Sequence, residues 1–318
     1  MSNKEEIINK LSKIEGERKI LEEELKKVES NDINKCFAII FSKNFHSLRI
    51  FKKYFNSSFI KDNKVDLELL NKPHTYVDEN KYCILHEAVK NNKEDIVLFL
   101  VNNGADQNLI NPEGYTPLMY SAMYNFDIKC KIAIYLTVQP NTFDRTVYGS
   151  LFYKASIEGN YLFCFAGQIS PKITADLEIK KDTVSALILA SVHLNFSMVF
   201  YLCNIGANML LVAPSNVKYN FLSHIMARIT PDKFVEAEIF LVALFNRNNK
   251  EMLELFFDTK DINGNTVLDS VRYETLPLYV NLIERVNFDS KKEIVEKWVE
   301  ERLTTQIKRD TPMKIKKN

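Results

Sequence analysis

The chain reads as an all-α solenoid of paired antiparallel helices with short hairpin loops and helical caps. Three observations predict it. Leu85, Leu118, Phe152 and Leu187 sit 33, 34 and 35 residues apart, and each opens a segment written to one pattern. Within the segments, apolar residues recur at helical spacing in two short stripes parted by a polar break. Gly104 and Gly206 each fall 19 positions after their own Leu85 and Leu187. Self-similarity at such a period marks stacked modules that bury their apolar sides against one another.

The clearest module runs from Glu79 to Ile110. Leu85, Ala88 and Val89 share a helical face, Asn91-Asn92 breaks the pattern, and Ile96, Val97, Phe99 and Leu100 form the second stripe. Asn103-Gly104 ends that helix, because glycine takes the left-handed conformation at a C-terminus without cost. Asn111-Pro112-Glu113-Gly114 then supplies a turn.

Tyr115-Thr116-Pro117-Leu118, Leu85-His86-Glu87-Ala88, Gly104-Ala105-Asp106 and Gly206-Ala207-Asn208 resemble the T-P-L-H-x-A and G-A-D motifs of ankyrin-repeat proteins. Weaker copies stand at Ser150–Ala155 with Gly159-Asn160, and at Ser185–Ala190. The resemblance implies that the His86 ring bonds backbone in the neighbouring loop. It also implies a concave face of hairpin tips and first helices that binds another protein. By alignment that face holds Tyr82, Lys90, Asn91, Pro112, Glu113, Tyr115, Met123, Tyr124, Val147, Ile157, Glu158, Lys181, Asp182, Val192 and His193. Aromatic and apolar groups lie in the middle and polar ones outside, the layout of a binding patch. Packing against other parts of the chain is the competing reading of these side chains. If they bind, replacing Tyr115 and Tyr124 with alanine is expected to leave the melting temperature nearly unchanged.

The expected organisation is an N-terminal charged helix (1–30), a helical cap (31–78), four repeats (79–208), an insertion or decayed repeat (209–236), two divergent repeats (237–288), and an amphipathic helix with a basic tail (289–318). In the first segment Ile7, Leu11, Ile14, Leu21, Leu25 and Val28 follow coiled-coil spacing around Arg18. A parallel homodimer is disfavoured, since Glu17 would face Glu22 and Glu24 would face Glu29. Folding onto the solenoid and pairing with a basic helix of another protein both stay open. Ile294, Val295, Trp298, Val299 and Leu303 form the last stripe, ahead of Lys308, Arg309, Lys314, Lys316 and Lys317.

Charge and motif content narrow the function. Lys and Arg total 42 against 41 Asp and Glu, a net charge of +1, so nucleic acid is not a general target. The basic tail leaves contact with nucleic acid or an anionic surface as the alternative function. The longest apolar run, Ile239 to Phe245, is far short of a membrane span. The first residues lack a signal-peptide core, and the expected location is the cytoplasm, with the nucleus open. Only 8 Gly are present, without a phosphate loop, a H-E-x-x-H or a G-x-S-x-G, so no catalysis, cofactor or metal is expected. Cys36, Cys83, Cys130, Cys164 and Cys203 form no C-x-x-C. Cys130 and Cys164 lie 12 residues past Leu118 and Phe152, where Val97 and Val199 stand in their modules, and are expected to substitute for a buried valine.

Overall fold

A computed structural model describes residues 32–43, 47–76, 80–126, 130–137, 185–205, 207–209 and 221–247, with isolated residues near both ends. The chain divides into two compact units, one of residues 1–125 with 131–142, the other of 126–130 with 143–318.

The first unit stacks three helix pairs. Helix α1 (Asp32–Phe41) packs on α2 (Leu48–Phe59). In α2, Phe51, Phe55 and Phe59 recur every four residues on the buried side, while Arg49, Lys52 and Lys53 face out. The Ser47 hydroxyl caps α2 by accepting from Ile50 N at 3.3 Å. A hairpin, β1 (Ile60–Lys61) and β2 (Lys64–Val65), turns through Asp62 and Asn63, both at positive φ (49° and 60°). Asp66 then caps the single-turn helix α3 (Leu67–Leu70). A second hairpin, β3 (His74–Thr75) with β4 (Lys81–Tyr82), leads to α4 (Ile84–Lys90) and α5 (Glu94–Asn102). The third pair is α6 (Pro117–Tyr124) and α7 (Lys131–Thr137).

First helices stack on first helices, α4 against α1 and α6; second helices do likewise, α5 against α2 and α7. The fold is thus the expected all-α one, with two two-stranded hairpins among the described residues. Phe37, Phe55, Leu85, Val97, Leu100 and Leu118 are buried between the layers. Each such side chain contributes about 1.5–3 kcal/mol of burial.

The second unit repeats the scheme. Helices α8 (Ala186–Val192) and α9 (Phe196–Asn204) carry α10 (Phe221–Arg228) and α11 (Phe234–Arg247), α10 on α8 and α11 on α9. The stretch expected as an insertion or a decayed repeat therefore contributes a stacked helix, and the boundary set at 236–237 falls inside α11.

The linker between paired helices explains one departure. Asn92 and Leu194, each seven residues past their leucine, take positive φ (53° and 54°) and join α4 to α5 and α8 to α9. Between α6 and α7 the linker runs from Asn125 to Cys130, three residues longer, and its left-handed residue is Cys130 (φ 47°). Cys130 is buried at 6% exposure, but it precedes α7 instead of standing inside it. The place of Val97, fourth in its helix, belongs to Ile134. Cys164, the charged helix of 1–30, the repeat around Phe152 and the basic tail lie outside the described residues.

Candidate partner-binding face

Asn111 builds the loop ahead of α6. Its side-chain oxygen accepts from Tyr115 N at 2.8 Å and its backbone N–H donates to Tyr115 O at 2.9 Å, closing the turn that exposes Pro112 and Glu113. Gly114 completes the turn at φ 88°, where a side chain would be strained. Thr116 caps α6, with Pro117 in its first turn, where a missing N–H costs nothing.

Tyr120, one turn into α6, is 2% exposed and organises what surrounds it. Its hydroxyl donates to Glu113 Oε2 at 2.8 Å and accepts from Asn111 Nδ2 at 3.0 Å. His86 and Tyr124 meet its ring edge-on, with centroids at 5.4 and 5.5 Å, and Tyr115 lies at 5.7 Å. The Lys90 ammonium sits 5.7 Å from the centroids of both Tyr120 and Tyr124, within cation–π reach. Three tyrosines and one lysine thus form a continuous patch on the first unit.

His86 does what the resemblance implies. Its Nε2 donates to Tyr115 O at 2.8 Å, tying α4 to the next loop. Burial pushes its pKa down to about 4, against the opposing pull of the carbonyls of Tyr115 and Leu109, so the ring is neutral near pH 7.

Of the expected face residues, Lys90, Glu113, Tyr115 and Tyr124 come together in this patch. Tyr124 is 46% exposed, whereas Tyr115 is half-buried with its ring against Tyr120. Tyr115 therefore carries packing, and its removal is no longer expected to be silent in stability. Asn91 caps α4, its side chain donating to Glu87 O at 2.9 Å. Met123 is half-buried beside Tyr124 in sequence. Tyr82 is half-buried in a separate aromatic group, 6.1 Å from Phe37 and 5.6 Å from Phe41. In the second unit, Val192 is half-buried and His193 is exposed at the end of α8, its pKa lowered by burial and then by Arg228. Val147, Ile157, Glu158, Lys181 and Asp182 lie outside the described residues.

Tyr120, Asn111 and Glu87 were not among the face residues expected from the sequence. Tyr120 precedes Tyr124 by four residues, a helical pairing that links a buried ring to an exposed one. Elsewhere, a hollow of about 360 Å³ is lined by Leu48, Asn92–Ile96 and Lys131. Of its charged side chains, Lys131 pairs with Glu94 at 2.8 Å, and Tyr135 donates to the same carboxylate at 3.1 Å. Among the described residues no group of His, Cys, Asp and Glu is placed to hold a metal ion, and no helix is long and apolar enough to cross a membrane.

Stacked pairs, left-handed linkers and a His86-to-loop tie define a class, and comparison gives it a family. The family model described as ankyrin repeats (3 copies) matches residues 38–144, beginning within α1 and so inside the segment expected as a cap. Residues 38–144 carry ankyrin repeats, which are protein–protein interaction modules. No match is found among curated proteins. Among solved structures, the chain is similar to a chain of the complex described as the Bd0816 predatory endopeptidase from Bdellovibrio bacteriovorus in complex with immunity protein Bd3460. The identity is 18%, over 70% of this chain and 97% of that chain, with a TM-score of 0.39.

Proposed function

We propose that this chain is a non-enzymatic binding protein, a scaffold, adaptor or inhibitor, that docks another protein on the face bearing Lys90, Glu113, Tyr115, Met123 and Tyr124. The observation that carries this reading is Tyr124, a large ring 46% exposed yet held against the buried Tyr120. A fixed aromatic offered to solvent loses little freedom on binding, the property of an interface anchor. Asn91 and Pro112 border the same face, with Tyr82 beyond, and Val192 and His193 are its counterparts in the second unit.

Truncating Tyr124 to alanine is expected to weaken binding by about 2 kcal/mol, roughly 30-fold in Kd, with the melting temperature held. A photo-crosslinking residue at position 124 and another at position 52, on the outward side of α2, make the direct test. Crosslinks to one protein from position 124, absent from position 52, support the face. Equal labelling from both positions, or none from 124, overturns it.

A further inference from the structure

Glu87 lies one turn before Lys90 on α4 and is 4% exposed. Among the described residues its carboxylate accepts no hydrogen bond and joins no ion pair. Buried carboxylates are normally paired, because an ionised group out of water without a partner is costly. Lys90 and Glu113 are its charged neighbours, near enough for their charges to act on it in opposite directions. Lys90 makes no ion pair either, and its ammonium rests over the Tyr120 and Tyr124 rings. The place thus combines two carboxylates, aromatic faces and one loosely held resident cation. That is the chemistry of a site for a positively charged side chain.

We propose that the docking face takes an arginine or lysine side chain of the partner, which pairs with Glu87 and Glu113 beside the tyrosine rings and displaces Lys90. Lys90 is the placeholder: it shows that a cation is accommodated against these rings, and its exposed side chain is free to swing away. This inference rests on the docking reading above and specifies what the partner must present. Arginine fits best, since its planar guanidinium bonds carboxylates while stacking on aromatic rings.

The test uses the full-length chain and two probes, acetyl-Gly-Arg-Gly-amide and the same peptide with uncharged citrulline, followed by NMR of the tyrosine rings. The arginine peptide is expected to shift the signals of Tyr115, Tyr120 and Tyr124 saturably, and the citrulline peptide to leave them in place. Glu87→Gln is expected to weaken arginine binding about tenfold, the loss of one charged contact. Lys90→Ala, at an exposed position that does not threaten folding, is expected to tighten it several-fold by removing the competitor. Equal response to both peptides, no response to either, no loss in Glu87→Gln, or weakened binding in Lys90→Ala overturns the proposal. Crosslinking from position 124 reads docking without reference to charge, so a crosslinked partner indifferent to these variants sinks this inference alone.

Discussion

Two buried titratable residues on one helix, His86 and Glu87, pull the stability of the first unit in opposite directions with pH. Burial raises the Glu87 pKa from 4.5 to about 7, with Lys90 opposing and Glu113 adding to the rise. The folded state therefore holds this proton more tightly than the unfolded chain, and stability falls as pH rises from about 4.5 through 7. His86 does the reverse. Its pKa drops from 6.5 to about 4, the unfolded chain takes the proton first, and stability is lost as pH falls from 6.5 toward 4. Glu87→Gln removes the first effect and leaves the second. Urea denaturation is expected to show variant and parent nearly equal at pH 5, where Glu87 is neutral, and the variant more stable by on the order of 1 kcal/mol at pH 8. A difference that does not change between those pH values would show that Glu87 ionises as freely in the fold as out of it. None of this was legible from the sequence, where Glu87 is the unassigned position of Leu-His-x-Ala; its burial comes from stacking, which a motif does not display.

Among the elements, the linkers decide where each second helix begins. Asn92, at φ 53°, is of a residue type that tolerates positive φ better than most. The equivalent Leu194 does not, and its conformation costs about 1 kcal/mol. Leu194→Asn is accordingly expected to raise the thermal midpoint of the second unit by a few degrees, and an unchanged or lower midpoint would place the strain elsewhere. Gly104 sets the opposite case. It sits at φ 89°, and a Cβ there would lie 2.6 Å from Leu67 Cδ2, so Gly104→Ala is expected to cost more than about 1 kcal/mol in chemical denaturation. The period in leucines and glycines made α4, α5, α8 and α9 readable, because Leu85 and Leu187 occupy recurring core positions and Gly104 follows the end of α5. Helices α1, α2, α10 and α11 stack on their neighbours without carrying the motif, so only their apolar spacing spoke for them. Cys130 was misplaced because three added linker residues shift α7 while the spacing of first helices barely changes.

For the whole molecule, the arrangement of neighbours predicts how damage spreads. In the first unit the pair α4–α5 packs on the pairs on both sides, whereas the main packing of α6–α7 within that unit is on α4–α5. Stability in such an array is approximately a sum of repeat terms and nearest-neighbour interface terms, so a cavity in the middle pair removes support in both directions. The exposed Tyr124 and the half-buried Tyr115 of the candidate face were readable by alignment for the same reason, since first helices and tips repeat their positions. The buried Tyr120 that holds them was not, because it repeats no motif residue. Leu100, fully buried in α5, is the place to test the spread. Leu100→Ala is expected to cost about 2–5 kcal/mol and to speed amide exchange through α1, α2, α6 and α7 as well as its own pair. Ile134→Val, in α7, is expected to cost about 0.5–1.5 kcal/mol with faster exchange confined to α6 and α7. Hydrogen exchange read by mass spectrometry separates the two patterns. If Leu100→Ala loosens only α4 and α5, the pairs stand independently, and the face they carry is not held rigid by its neighbours.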